Sequence, residues 1–449
     1  MKIQLSDHFT YPKLLRFTVP SVAMMIFTSI YGMVDGFFVS NYVGATPFAA
    51  VNLIFPFLML FGAIGFMVGT GGTALVSKTL GEGDKKKANE IFSLLIYVLI
   101  AVGTVCSVIG FLFMEQAARL LGADDKMLPH CVTYGRIIII GMVPFMLETV
   151  FQSFLVCAER PKFGLWITVA TGVCNMVLDA LFMAVFDWGI WGAAVATTIS
   201  QFIGGLVPLF YFFAPNKSLL RLGKTKWYFS AIVKSCTNGA SEFVTNISYS
   251  LVTILYNFQL MKFAGESGVA AFGVLMYTNF IFVSVFLGYA IGSAPLFGYN
   301  HGAENHAQLQ NLFRKSMILI AAASLTLTVL SIGAAYPLSL LYVGYDAQLL
   351  QMTVRGYIIY SFSFLFCGFN IFASSLFTAL NNGLISALIS FGRTLVFQLI
   401  SILLLPALFG MDGIWWANVV AEILALGVSA AFLLTQRKKY HYAKLIHNS

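Results

Sequence analysis

The sequence predicts an all-α polytopic membrane protein: twelve transmembrane helices in two six-helix lobes, related by a pseudo-twofold axis along the membrane normal. Three observations predict it. Of 449 residues, 59% are hydrophobic and only 10% charged, against about 25% charged in an ordinary soluble domain, and mean hydropathy is +0.85. Apolar stretches long enough to cross a bilayer recur along the whole chain. A single constant offset of 221 residues lays one half of the sequence on the other.

A hydrocarbon layer roughly 30 Å thick takes about 20 apolar residues of helix. Twelve stretches qualify: 14–39, 48–77, 90–113, 129–156, 163–186 and 189–213, then 229–261, 268–298, 312–334, 348–378, 384–409 and 413–436. The first is longer than the apolar core of a signal peptide and lacks a small-residue cleavage site, so it reads as a retained helix. Membrane strands fail as an alternative because alternating ten-residue segments are absent. The predicted organisation is an N-lobe (1–214), a polar connector (215–227) and a C-lobe (228–449).

Lys and Arg set the orientation, since short cytoplasmic loops retain them. With the N-terminus inside, the inner segments hold Lys2, Lys13 and Arg16; Lys78 and Lys85 to Lys87; Arg160 and Lys162; Lys217, Arg221, Lys224 and Lys226; Arg314 and Lys315; and Arg437, Lys438, Lys439 and Lys444. The outer loops hold Arg119, Lys126 and Lys262. Both termini are therefore expected in the cytoplasm, at the plasma (inner) membrane. The net charge of +8 then reflects topology and calls for no nucleic-acid partner; the loop "GEGDKKK" (81–87) is solvated and suited to anionic lipid heads.

The 221-residue shift maps Gly44 to Gly265, Gly71 to Gly292, Gly81 to Gly302, Gly135 to Gly356, Phe151 to Phe372, Gly189 to Gly410 and Gly192 to Gly413, among others. Six spans per half is an even number, so both halves insert the same way up. That is the parallel-repeat arrangement of alternating-access transporters.

Against this apolar background, "TGVCNMVLDALFMAVF" (171–186) places Asn175 and Asp179 one helical turn apart on one face. At 1.5 Å per residue, Asp179 lies about 10 Å below the outer end of the fifth span and Asn175 about 6 Å deeper. Asp35 in the first span, Tyr134 in the fourth and Thr197 in the sixth fall in the same layer. Ionisable groups at such depth are costly and face the bundle interior. Two carboxylates together in low dielectric do not both ionise cheaply, so the pair is suited to holding one proton. The same oxygens, with an amide carbonyl and a hydroxyl, suit a hard cation such as Na⁺; the sequence leaves both open. The competing reading is a structural ion pair, with Arg136 as an available partner for either acid.

The twelve-span repeat, Pro20 with Asp35 fifteen residues later, and the "NMVLD" pair resemble the MATE (multidrug and toxic compound extrusion) transporters, in the prokaryotic branch with an N-lobe cation site. The resemblance covers essentially the whole chain. It implies that Asp35 and Asp179 are the protonatable pair, that Asn175, Thr197 and Tyr134 are their hydrogen-bonding or coordinating partners, and that Pro20 marks a first helix that bends. Related branches carry a second cation site on the seventh and tenth spans. Here the seventh has Glu242, but the tenth offers Asn370 rather than an acid, which argues against a C-lobe site.

Other buried charges read as gate or structural pairs: Arg355 with Glu422 in the outer half of the C-lobe, and Arg393 with Glu242 in the inner half. Glu148 has no evident partner. "VGTGG" (68–72) lies inside a span and reads as close helix packing. The cysteines lack CxxC pairing, the histidines lack metal spacing, and no nucleophile elbow, HExxH or P-loop occurs. No structural metal, cofactor or enzymatic activity is expected.

The expected function is secondary active export. Substrate loads from the cytoplasm or inner leaflet, and inward flow of H⁺ or Na⁺ through the N-lobe resets the carrier. Adaptable Met and aromatic side chains suit amphipathic molecules, and a cavity acid favours cationic ones; Gln152, Met176, Met183 and Gln201 are the candidate lining residues. The expected partners are such compounds and the lipid bilayer, and the expected assembly a monomer. Two other readings compete with this one. A lipid-linked saccharide flippase of the same superfamily often has fourteen spans and a strongly cationic cavity. A non-transporting receptor or scaffold needs neither the repeat nor the buried acids.

Overall fold

A computed structural model describes residues 3–443, and Lys2 and Lys444 of the basic clusters lie outside them. The chain is helical throughout: α1 (Tyr11–Tyr42), α2 (Ala45–Gly81), α3 (Lys85–Leu112), the short α4 (Met114–Leu120), α5 (Leu128–Ile140), α6 (Met142–Cys157), α7 (Pro161–Asp179), α8 (Gly189–Phe213), α9 (Phe229–Gly302), α10 (His306–Val343), α11 (Ala347–Ser361), α12 (Phe364–Ala379), α13 (Gly383–Phe391), α14 (Phe397–Phe409) and α15 (Met411–Tyr440).

These helices assemble into twelve rods in two six-helix lobes. Nine of them, among the described residues, are long and apolar enough to span a bilayer alone. Two further rods are bent pairs: α5 with α6 turns by 55°, and α11 with α12 by 47°. The remaining rod is the first part of α9, whose two expected spans run on as one helix kinked at Gly265. Polar side chains make this rod less apolar than the others: Ser235, Asn238 and Ser241 are buried in it. The fifth and eleventh rods carry π-helical turns, Ala180–Val185 and Gly392–Val396.

Irregularities of the backbone repeat with the sequence. Gly44 and Gly265 both take positive φ (95° and 61°), as do Gly189 and Gly410 (56° and 59°), a region that side chains other than glycine's rarely occupy. The bend after Ile140 recurs after Ser361, again 221 residues on.

The lobes meet through glycines at the end that carries the termini. A Cβ on Gly81 would strike the Tyr299 carbonyl, and one on Gly302 the Lys78 carbonyl. Lys78 and Tyr299 are themselves 221 residues apart, so this interlock is symmetric and sits on the pseudo-twofold axis. Gly71 packs on Ser235 and Gly239, and Gly288 and Gly292 on Thr18, Ser21 and Val22 of α1. Side-chain-free surfaces let backbones approach closely where lipid supplies no hydrophobic drive, which is also what "VGTGG" does here. Towards the other end the lobes part: the recorded cross-lobe bonds of α1 stop at Ser29 Oγ to the Phe280 carbonyl (3.4 Å), and Gly32, Gly36 and Gly273 meet nothing within 4 Å. The far halves have separate cores, one around Ile54, Leu58 and Ile139 and one around Tyr256, Phe272 and Trp415.

The first and last described segments of the chain lie at the interlocked end. The Leu5 N–H donates to Glu159 of the N-lobe (2.9 Å), while Gln308 and Asn311 of the C-lobe donate to the Asp7 and Phe9 carbonyls. Gln310 donates to the His441 carbonyl.

Candidate functional site

The far half of the N-lobe brings together the acids that the sequence singles out. Asp35 projects from α1 and Asp179 ends α7, and each carboxyl lies within hydrogen-bonding reach of the other. Asp179 is fully buried, and neither of its oxygens has a donor; Asp35 is half-buried as a residue, but its Oδ1 is sealed without a partner. Two ionised carboxylates offer four acceptor oxygens and no donor. One proton between them turns one into the donor; a bound cation satisfies both.

Tyr134, on α5, is buried and within electrostatic reach of both carboxyls. Asn175 sits one turn before Asp179, 2% exposed, with its Nδ2 unpartnered, and Thr197 on α8 brings an unpartnered Oγ1. Burying such groups unbonded costs about 1–3 kcal/mol each, and five such atoms gather here: Asp35 Oδ1, both Asp179 oxygens, Asn175 Nδ2 and Thr197 Oγ1. Gly172 of α7 lets α1 approach: a Cβ there would lie 2.5 Å from Phe27 and 2.6 Å from Tyr31.

Arg136 does not fill the structural-pair role. Its guanidinium stands over the Phe111 ring, 5.1 Å from the centroid, and among the described residues it forms no ion pair. Pro20 lies inside α1, which continues unbroken through it, directly beside the Thr18, Ser21 and Val22 contact with the C-lobe.

The C-lobe acids are arranged differently from the expected pairs. Arg393 bonds Glu422 (2.8 and 3.1 Å), not Glu242, and Arg355 bonds Asp412, not Glu422. Asn370 donates to the Glu422 carboxylate at 2.8 Å and accepts from Ser429 at 2.8 Å. This buried acid is thus saturated, and the tenth-span amide is part of what saturates it. Arg393 lies within the π-turn at Gly392–Val396 and reaches Glu422 of α15; depth along a helix, all that sequence supplies, leaves rotation about the axis undetermined. Arg355 instead meets Asp412, near the mouth of an open hollow of about 450 Å³ also lined by Gln348, Gln351 and Trp415.

Of the proposed lining residues, Met183 is 1% exposed and belongs to the N-lobe core. Gln152 and Met176 are half-buried. Gln201 presses an unpartnered Oε1 on Gly141 at the bend between α5 and α6. One residue escaped the sequence reading: Tyr31, one turn before Asp35, in electrostatic reach of both Asp35 and Glu148. Its spacing from Asp35 on the same helix face was the available signal.

Comparisons with known proteins agree with this architecture. The MatE family model matches the chain twice, over residues 20–181 and 243–404. A multidrug export protein MepA from Staphylococcus saprophyticus is 24% identical, covering 96% of each chain. Among solved structures, an outward-facing multidrug resistance MATE family transporter superposes with a TM-score of 0.92 at 20% identity, over 98% of each chain. A MATE in the straight conformation superposes with 0.91 at 19% identity, over 96% of this chain and 97% of that one.

Proposed function

Since the chain belongs to the MatE family of multi-pass membrane transporters, we propose that it is a multidrug efflux carrier that exports amphipathic or cationic organic compounds by antiport. The coupling ion enters through Asp35 and Asp179, with H⁺ favoured over Na⁺. One observation carries this reading: the N-lobe acids and their neighbours are buried with oxygens that nothing bonds, while the buried C-lobe acid is saturated by Arg393 and Asn370. H⁺ is favoured because the two carboxyls stand in reach of each other, the geometry a single shared proton holds. The end carrying the termini faces the cytoplasm, in keeping with its excess of Lys and Arg. A protein sealed there and parted at the other end is poised to load the ion from outside and then to release it inward as the lobes rock. A monomer suffices, because the acids, their partners and both halves of the gate come from one chain. The flippase reading gains no support, since Arg393 is neutralised and Arg136 lies over Phe111.

The test is ethidium export in an efflux-deficient strain and from proteoliposomes under imposed pH or Na⁺ gradients. Wild type, Asp35→Asn and Asp179→Asn are compared. Export driven by a pH gradient and lost in both variants supports the reading; a variant that exports as wild type, or drive by Na⁺ alone, overturns the site or the ion.

A further inference from the structure

The hollow of about 450 Å³ in the C-lobe has no part in the proposed ion path. It lies at the end of the lobe away from the termini, between the start of α11 and the junction of α14 with α15. That is the level of the lipid head groups, just beyond the apolar layer the helices cross. On one wall Gln348, Gln351 and Arg355 follow each other at spacings of three and four and so share a face of α11. Asp412 and Trp415 of α15 line the other wall. Gly356 lets the two helices close on the indole, since a Cβ there would stand 2.7 Å from the ring. Arg355 and Asp412 are the only charged residues that line the hollow, and the guanidinium donates to the carboxylate. Their side chains nevertheless stay 67% and 37% exposed, and ion pairs so open to water hold themselves together weakly. The side-chain amides of Gln348 and Gln351 bond no described residue. Shifted by 221, the same two charged positions hold Tyr134 and Trp191 in the first half, so the pair belongs to the C-lobe alone.

We infer that this hollow is a site for the head group of a zwitterionic phospholipid, its phosphate on Arg355 and its primary ammonium on Asp412. Charge selects this class. A lining with one cation and one anion matches a head group that carries both, whereas a purely anionic one sets its phosphate beside Asp412 with no ammonium to answer the carboxylate. A planar guanidinium meets a phosphate with two parallel N–H bonds, and a primary ammonium has the N–H donors that a carboxylate accepts, which a trimethylammonium lacks. The unbonded amides of Gln348 and Gln351 add donors beside Arg355. The volume suits a head group, lying within the range of about 300–1,000 Å³ typical of small-molecule sites. The acyl chains have a track as well. Ile400, Leu403, Leu404, Leu408 and Phe409 of α14 are all exposed, at spacings that make one stripe down the lipid-facing side. Phe409 belongs both to that stripe and to the wall of the hollow, so chains leaving the head group run directly onto it.

Native mass spectrometry of the full-length protein in detergent, titrated with phosphatidylethanolamine, phosphatidylcholine or phosphatidylglycerol of the same acyl chains, counts the lipids bound. The expected result is a site that takes phosphatidylethanolamine in preference to the other two. Arg355→Gln, Asp412→Asn and the double variant are each expected to weaken it about tenfold or more, the worth of a hydrogen bond to a charged group. The double variant leaves no lone charge in the hollow, so its loss of lipid reports recognition and not a disturbed fold. Glycerophosphoethanolamine, the head group without its chains, is expected not to displace the lipid at matched concentration. Phosphatidylglycerol bound as tightly as phosphatidylethanolamine, or phosphatidylethanolamine bound by the double variant as by wild type, overturns the inference. Displacement by glycerophosphoethanolamine at matched concentration overturns the lipid assignment in favour of a soluble zwitterion.

Discussion

Replacing Gly81 by Ala tests the interlock on the axis. The new Cβ would lie within 2.8 Å of the Ala303 nitrogen and 2.9 Å of the Tyr299 carbonyl carbon, and closer still to its oxygen, whereas ordinary contact begins at 3.4 Å. All three are backbone atoms, so no side-chain rotation relieves the clash and the lobes must part. Overpacking of this kind costs about 1–3 kcal/mol. The cost falls only on the state in which this end is closed, so the ratio of closed to open molecules drops about 5- to 150-fold. Gly302→Ala makes the symmetry-related clash on Lys78, and one separation relieves both. The double variant is therefore expected to match either single variant instead of summing them, the signature of coupled sites. Spin labels at Lys87 and Glu304, both exposed and on opposite lobes at this end, report the distance in a cysteine-free background. A shift to longer distances in each variant is expected; an unchanged distribution, or additive effects in the double variant, would refute the on-axis geometry.

Further outcomes can be checked with purified protein. Arg393→Gln removes the counter-ion of a buried carboxylate 3% exposed and should lower stability by about 3–5 kcal/mol, with part recovered in the Arg393→Gln, Glu422→Gln pair; thermal melts in detergent read it. Gly265→Ala forces a side chain into φ 61°, ψ −150° and should cost about 1–3 kcal/mol in the same melts. At the N-terminus, partial burial of Asp7 pushes its carboxyl up, but the Gln4 N–H and the Lys13 ammonium outweigh it and hold the group below its ordinary value. A folded-state value lower than the unfolded one contributes stability above the ordinary carboxylate range that is lost as pH falls through the folded value. Protease cleavage near residues 4–9 should thus stay slow at neutral pH and accelerate only in stronger acid, and Asp7→Asn should remove that dependence.

Span positions, the parallel repeat and the layer of N-lobe acids were legible because each depends on quantities a sequence carries: hydropathy, a constant offset, and distance along a helix. Rotation about a helix axis is not such a quantity. It depends on tertiary packing, and Arg393, which sits inside the π-turn Gly392–Val396, meets Glu422 instead of Glu242. The fusion of the seventh and eighth spans into α9 was hidden for a related reason. Gly265 was visible as a repeat match to Gly44, yet whether a positive-φ glycine ends a helix, as at Gly44, or merely kinks it depends on the flanking packing. Met183 was misplaced because methionine serves cores and binding surfaces alike.

The two halves have diverged in chemistry while keeping one backbone plan. In the second copy the Arg393 guanidinium and the Asn370 amide both donate to the buried Glu422 carboxylate, whereas in the first neither Asp179 oxygen has a donor among the described residues. On the proposed reading, the ion-handling chemistry is confined to one copy of the repeat, and the second contributes its salt lock and its share of the glycine interlock.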